Sequence, residues 1–364
     1  MHALYTGIDL HATQITYHII ERALDGTIAH RKGTVAAGEF DKRLFPLLTK
    51  NSYVCIEATS FSRTFYKMIK PYVAQVCVIN PGSVENSTGK KTDRIDAHNL
   101  AGMIKRHIED NDPNDKFPEV FMPEDDIASL RSLFSTYDLI SREITSLKNR
   151  IRSFFIAKFI NISGSRFFTH LEKHMQDERI TMIDRMQIQS LLQVIDSLET
   201  QKLVLKKEIV SLGKQHHEAE IKLLISIKGI SPFIACAILA DIATARRFKN
   251  AKHFVSYLRC APRIHASNET VHIGAMNKRG RKLALRLILQ ALNHIISSSP
   301  ALTEFYQRKT NGKSKSKVRA AIARKTFTMM YYMLRNNEIN RNCSKELYAK
   351  RLKMYGFTEA KNAA

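Results

Sequence analysis

The chain has 364 residues, enough for two or three domains with their own cores, and its apolar fraction of 44% is ordinary for a folded protein. It carries 57 Lys and Arg against 34 Asp and Glu, and this formal charge of +23 makes nucleic acid the expected partner, ahead of an anionic membrane surface. The sequence shows neither a basic leader pattern, which would indicate secretion, nor an apolar stretch long enough to span a membrane. We therefore expect a cytoplasmic, nucleoid-associated protein.

Strand-like and helix-like patterns alternate over the first 105 residues. Short apolar runs with β-branched residues and flanking turn signals indicate strands, and amphipathic runs indicate helices. Their order is strand 4–8, strand 14–20, strand 26–36, helix 40–48, strand 53–56, helix 61–68 and strand 75–79. This order predicts an α/β domain and is that of an RNase H-like (RuvC-like) fold, which is an analogy at the level of fold.

Acidic residues stand at the ends of two of these strands and at the start of a helix. Asp9 follows the run 4–8 and Glu57 follows the run 53–56, while Asp93 and Asp96 are three apart and share one helix face. Oxygen ligands of this kind favour Mg²⁺ or Mn²⁺, and these ions commonly contact phosphate. The sequence thus predicts metal-dependent chemistry on a phosphodiester; the alternative is that these acids are unrelated loop residues and helix caps.

The middle of the chain contains two heptad patterns. Residues 110–126 are rich in Pro, Asp and Asn and are expected to form a linker. Apolar residues then recur at spacings of three and four over 130–151 and again over 191–212, which predicts two long helices. These helices could pair as an antiparallel hairpin around Gly164, pair between subunits, or pack onto a neighbouring domain.

The last third is helical and strongly basic. Around Lys228 and Gly229 the pattern resembles a helix-hairpin-helix, which would present backbone N–H groups to phosphate; an ordinary helical hairpin capped by Gly229 is the alternative. Basic runs further on are expected to contact nucleic acid, although exposed charges can equally be solvated helix faces. The residues concerned are Lys278, Arg279, Arg281, Lys282, Lys313, Lys315 and Lys317. The five cysteines lack metal-ligand spacing and are expected to be reduced.

Several of these segments together resemble a known family. The motif Lys91-Thr92-Asp93-Arg94-Ile95-Asp96-Ala97, with Gly7-Ile8-Asp9 and Ile56-Glu57-Ala58 upstream, looks like the DEDD transposases of the IS110 insertion-sequence family, to which Piv-type DNA invertases are related. Residues 254–258, Pro262, Gly274 and Lys278 resemble the family's C-terminal domain. The resemblance covers nearly the whole chain.

The resemblance implies a domain plan and a site. It predicts a RuvC-like catalytic domain and linker at 1–122, coiled-coil helices at 123–217, and a mostly α-helical C-terminal transposase domain at 218–364. The acidic tetrad would bind Mg²⁺, and a serine five residues after the proline, Ser267, would attack DNA. The family's Ser-Gly-Gly is replaced here by Ser267-Asn268-Glu269.

Other readings of the activity stay open. Tyr257 is an alternative nucleophile, and His265 or His272 is a candidate to assist proton transfer. Because members resemble RNA-guided bridge recombinases, a structured noncoding RNA is an implied partner, beside donor and target DNA and a homodimer or homotetramer. The rival functions are a Piv-like invertase, a RuvC-like nuclease that activates water, and an inactive nucleic-acid-binding protein.

Overall fold

A computed structural model describes residues 3–81, 92–110, 117–162, 166–267, 270–278 and 280–357; for 264–267 and 270–273 it describes the backbone alone. The chain divides into two compact units, residues 1–122 and 123–364. Within the described ranges, no helix combines the length and the apolar character that crossing a bilayer requires.

The first unit contains a five-stranded sheet. Its strands are β1 (Ala3–Leu10), β2 (Gln14–Arg22), β3 (Ile28–Ala36), β4 (Ser52–Glu57) and β5 (Gln75–Ile79), in the spatial order β3-β2-β1-β4-β5. β1, β2 and β3 are antiparallel neighbours, and β4 and β5 run parallel to β1. The strands predicted from the sequence are therefore confirmed, with small differences at their ends.

Alternate residues of the sheet face two separate hydrophobic clusters. Ile8 and Ile56 lie on one face with Phe65 of α2 (Ser62–Ile69). Tyr5 and Cys55 lie on the other face, which packs against α3 (Asp93–Asp110). Because side chains alternate with a period of two, every odd-numbered residue of β1 points toward α3.

Two predictions for this unit need correction. The helix predicted over 40–48 is a single turn, α1 (Phe40–Arg43), followed by a 3₁₀ turn that contains Pro46. Proline lacks an N–H and its ring clashes with the preceding turn, so the α-helix cannot continue through it. The predicted linker 110–126 is structured at its end: Val120 N donates to Val78 O at 2.6 Å, and α4 already begins at Asp125.

The second unit begins with two long helices that pack against each other. α4 (Asp125–Ile156) and α6 (Met182–Ile225) flank the short α5 (Leu171–Met175). Lys158 pairs with Asp184 at 2.8 Å and Lys148 pairs with Glu199 at 3.2 Å. Later residues along α4 therefore contact earlier residues of α6. The two helices are therefore antiparallel within one chain, as in the predicted hairpin.

The predicted heptad residues divide between two clusters. Ile144, Ile151 and Ile195 are buried in the core of the hairpin's outer half, together with Phe155 and Ile188, which lie outside the predicted repeats. Leu130 and Ile209 belong instead to the large core of the C-terminal helices. α6 has non-helical backbone angles at His217 and divides there into two helical segments.

The remaining elements follow the apolar helix α7 (Pro232–Ile242), whose residues are almost all buried. They are α8 (Ala251–Tyr257), β6 (Pro262–Ser267), β7 (Thr270–Met276), α9 (Leu283–Ile296), α10 (Pro300–Thr310), α11 (Lys315–Asn336) and α12 (Lys345–Met354). β6 and β7 pair as an antiparallel hairpin that was not predicted. Cys55, Cys77, Cys236 and Cys260 are buried free thiols, and Cys343 is half-buried and free.

Candidate active site

The predicted acids of the first unit gather around the carboxyl end of β1. Ile8 pairs with Ile56 in the parallel register of β1 and β4, so Asp9 and Glu57 follow side by side, on strands about 4.8 Å apart. Both lie on the face that packs against α3. Asp93 and Asp96 occupy the first turn of that helix, and both are half-buried.

Gly7 permits the close approach of α3 to β1. A Cβ atom at Gly7 would lie 2.0 Å from Ala97 O and 2.3 Å from Ala101 N, both backbone atoms of α3. Only a residue without a side chain fits there. The glycine two residues before Asp9 therefore brings the first turn of α3 toward that carboxylate.

Two polar side chains contact the acids, and one of them, His11, connects Asp9 with Asp93. His11 Nε2 lies 3.1 Å from Asp9 Oδ2 and 3.6 Å from Asp93 Oδ1. Gln14 Nε2 donates to Asp93 Oδ2 at 3.0 Å. Asp9, His11 and Asp93 each offer a ligand atom, and these atoms all lie within 4.8 Å of one another. Glu57 and Asp96 are outside this closest group.

Asp9 is the buried member, with 7% of its surface exposed. Burial raises the pKa of its carboxyl group, and the charges of Asp93 and Asp96 raise it further, whereas His11 opposes the shift. A carboxylate that is buried next to other acids is costly unless a cation neutralises it. The donor set of carboxylates with one imidazole therefore fits a divalent metal ion.

Ser267 lies in the second unit, as the last residue of β6, and its backbone pairs with Thr270 of β7. Asn268 and Glu269 lie outside the described residues, as do the side chains of His265 and His272. Tyr257, the alternative nucleophile, ends α8, and the Arg247 guanidinium lies 4.3 Å from the centre of its ring.

A groove of about 830 Å³ opens between β7 and α9. Its described lining carries basic side chains and no acidic one: Arg259, Lys278, Lys282, Arg286 and Arg319. The predicted contacts Lys278 and Lys282 are exposed there. Arg279 lies outside the described residues.

Arg281 faces a different, smaller cavity, which Arg131 and Asp241 also line. Asp241 is buried, and it accepts a hydrogen bond from Ala284 N at 2.8 Å at the start of α9. Burial raises the pKa of Asp241, and Arg281 and Arg131 act in the opposite direction. This network holds the helix that forms one wall of the basic groove.

The other predicted nucleic-acid contacts lie elsewhere in the second unit. Lys228 is exposed in the turn before α7, where Gly229 has φ +96° and a Cβ would lie 3.0 Å from His294 Cβ. Lys313, which precedes α11, and Lys317, which lies within it, line a cavity of about 440 Å³. Lys315 is exposed at the start of that helix.

Sequence reasoning missed Gly7, His11 and Gln14 as site residues. The packing role of Gly7 depends on α3, and His11 and Gln14 acquire significance only through the turn that returns β2 beside β1. In the sequence, the polar residues His11 and Gln14 lie on either side of the short turn that follows Asp9, and this pattern could have indicated them.

Comparisons with known proteins give matches to both units. A family model described as "Transposase" of the DEDD IS110 type matches residues 6–160, and one described as "Transposase IS116/IS110/IS902 family" matches residues 221–307. Pilin gene-inverting proteins from Moraxella bovis and Moraxella lacunata are each 33% identical over 118 residues, which is 32% of this chain. The alignment spans 37% of each of these curated relatives, little more than a third of their length.

Proposed function

The chain belongs to the IS110 family of transposases, and on that premise we propose that it cuts and rejoins DNA strands in a metal-dependent reaction. One observation carries the proposal: Asp9 is buried at a strand end with a raised pKa, within 4.8 Å of ligand atoms of His11 and Asp93. Such a group is suited to a cation, and a bound cation in a chain that also carries exposed basic surfaces is suited to phosphodiester chemistry.

We assign residues 1–122 to an RNase H-like catalytic domain. The sheet order β3-β2-β1-β4-β5, with three antiparallel strands followed by two parallel ones, supports this assignment. In the same scheme residues 123–217 are coiled-coil helices and residues 218–364 are the transposase domain that supplies the nucleophile.

Mg²⁺ is the proposed ion, and Asp9, Glu57, Asp93 and Asp96 are its proposed ligands. When bound, Mg²⁺ would polarise the phosphodiester and stabilise charge on the attacking and leaving oxygens. His11 would orient Asp9 through the 3.1 Å contact, and Gln14 would orient Asp93 through its amide. These contacts fix two carboxylates before any substrate arrives, which favours catalysis.

Ser267 is the proposed nucleophile. Its Oγ attacks phosphorus, a phosphoseryl bond forms, and the bond to the leaving DNA oxygen breaks as that oxygen takes up a proton. A hydroxyl of another strand then attacks the same phosphorus, and the serine regains its proton. Because one phosphodiester replaces another at each step, the reaction needs no ATP. Ser267 and the acids belong to different units, so we propose a composite site that forms on assembly.

Donor and target DNA are the proposed substrates, and a structured noncoding RNA is a proposed partner. The charge of +23 and the groove lined by Lys278 and Lys282 support binding to polyanions. Strand exchange between two duplexes requires several active sites, so we propose a homodimer or homotetramer. Sequencing of copurified RNA, with an unrelated basic protein as the control, tests the RNA partner.

Trapping of a covalent adduct tests the proposed chemistry. Full-length protein is incubated with Mg²⁺ and end-labelled DNA, denatured, and separated by size. We expect a protein–DNA adduct that Ser267→Ala lowers by ~10³-fold or more, because a lost nucleophile removes the covalent route. Ser316→Ala, at an exposed serine of α11, is the matched control and should leave the adduct unchanged.

The outcomes of this experiment separate the candidate activities. Nicked DNA with no adduct, and full activity of Ser267→Ala, would establish a nuclease that uses water. An adduct that survives Ser267→Ala but disappears in Tyr257→Phe would identify the tyrosine as the nucleophile. Asp9→Asn should abolish cleavage and leave DNA binding; if it changes neither, the catalytic proposal is wrong.

DNA inversion is the second candidate function. The similarity to pilin gene-inverting proteins over 118 residues favours it. A plasmid that carries a candidate element between reporter primers distinguishes the two: inversion reorients the segment in place, whereas transposition moves it to a new location.

A further inference from the structure

A second cluster of possible ligands lies on the α3 face of the same sheet. It consists of His18 of β2, His30 of β3 and His98 of α3. His18 Nε2 lies 2.9 Å from His30 Nδ1 and 3.4 Å from His98 Nδ1. One nitrogen of each ring therefore lies within 4.8 Å of a nitrogen of each of the other two rings.

The backbone holds these rings in place. His30 lies directly opposite Ile20, the residue two positions beyond His18, so both histidines project from the same face of adjacent strands. His98 comes from the helix that Gly7 brings into backbone contact with β1. Sites built on packed strands and helices hold their side chains more firmly than sites on loops.

The spacings of the nitrogens are close to those of a tetrahedral metal site. Zinc–nitrogen bonds of about 2.0–2.1 Å at tetrahedral angles place two ligand nitrogens roughly 3.3–3.4 Å apart. The 3.4 Å contact equals that separation, and the 2.9 Å contact would lengthen by about half an ångström. All three nitrogens lie within 4.8 Å of one another, and the exposed rings of His30 and His98 can rotate to adjust these separations.

The central imidazole is suited to act as a ligand near neutral pH. Burial, together with the neighbouring His98, His30 and Lys32, lowers the pKa of His18 to about 4. Neutral imidazole offers a lone pair, whereas protonated imidazole cannot bind a metal. Imidazole nitrogens prefer zinc-class ions to Mg²⁺, so this cluster differs in chemistry from the acidic group at Asp9.

We propose that His18 Nε2, His30 Nδ1 and His98 Nδ1 bind one zinc-class transition-metal ion, with water in the fourth position. His30 and His98 are exposed, which leaves that position open to solvent. The ion would tie α3 to β2 and β3. Because Asp93 and Asp96 occupy the first turn of α3, the ion would also fix the positions of their carboxylates.

Titration of the metal-free full-length chain with Zn²⁺ tests the site. Calorimetry should give one tight site per chain, and Co²⁺ should give the intense visible absorption of four-coordinate cobalt. His30→Ala or His98→Ala should weaken binding by more than ~100-fold, because the loss of an outer-shell partner alone weakens binding 10–100-fold. The matched control is His216→Ala, at an exposed histidine of α6.

Asp9→Asn separates this site from the proposed active site. Zn²⁺ binding should survive Asp9→Asn, and X-ray absorption of the zinc-loaded wild-type protein should show three imidazole nitrogens. Absence of a stoichiometric site, zinc bound by carboxylate oxygens, or tight binding that persists in His30→Ala and His98→Ala would each overturn the proposal. The X-ray absorption result holds even if a variant fails to fold.

Discussion

Gly7→Ala should displace α3 from the sheet. The added Cβ would lie 2.0 Å from Ala97 O and 2.3 Å from Ala101 N, whereas carbon–oxygen contacts are about 3.3–3.6 Å long. The helix must therefore move by more than ~1 Å. Both contacts are with backbone atoms, so no side-chain rotation can relieve them. Overpacking of this kind costs ~1–3 kcal/mol.

Native-state hydrogen exchange of the α3 amides measures this effect, because it reports the stability of individual elements. A loss of ~1–3 kcal/mol corresponds to exchange that is about 5- to 150-fold faster. DNA cleavage should fall by ~100-fold, since a misplacement of 1 Å has that effect on catalysis. Cleavage is affected because Asp93 and Asp96 move with the helix.

Gly102→Ala is the matched control in the same helix. A Cβ at Gly102 would meet nothing within 4 Å, so the substitution should stabilise α3 by up to ~1 kcal/mol through helix propensity. The two substitutions should thus act in opposite directions. Unchanged α3 exchange and cleavage in Gly7→Ala would refute the close approach of α3 as the basis of the site.

Further substitutions test the second unit. Phe155→Ala, at a fully buried ring of the hairpin, should lower the free energy of unfolding by ~3–5 kcal/mol, whereas Phe159→Ala, at a ring that is 93% exposed, should change it by less than ~0.5 kcal/mol in urea titrations. Burial raises the pKa of Asp241 above 3.8, so wild-type stability should decline as pH rises from about 4 through that raised pKa. Unfolding curves of Asp241→Asn should lack this decline, and an identical pH dependence in both proteins would contradict it. Lys282→Ala should reduce the slope of log affinity for DNA against log salt by ~1, while Lys353→Ala on α12 should not; equal slopes would exclude the groove as a phosphate contact.

The sequence predicted most of the first unit because its strands are short, apolar and bounded by turn residues. The positions of Asp9 and Glu57 followed from the same pattern, since Glu57 is the last residue of β4 and Asp9 the last but one of β1. The helix predicted over 40–48 was wrong because the ring of Pro46 clashes with the preceding helical turn, and this clash overrides the amphipathic spacing.

Other features depend on distances along the chain that local patterns do not encode. His18 and His98 are 80 positions apart, and only the packing of α3 on the sheet brings them to 3.4 Å. The hairpin of β6 and β7 was missed because Asn268 and Glu269, which follow Ser267, lack the glycine that marks common two-residue turns.

The long helices of the second unit share two hydrophobic clusters, one at each end of their contact. Phe134 of α4 is buried with the C-terminal helices, and Phe155 is buried in the outer cluster, 21 positions further along. At 1.5 Å per residue the two side chains are ~30 Å apart along α4, and the helix is held in the large core at its Phe134 end, which is the base of the hairpin. A tilt of about 5° at the base would sweep the far end through ~3 Å, which is comparable to the diameter of a water molecule. Side-chain packing around Phe134 therefore determines the position of the outer end of the hairpin, about 30 Å away.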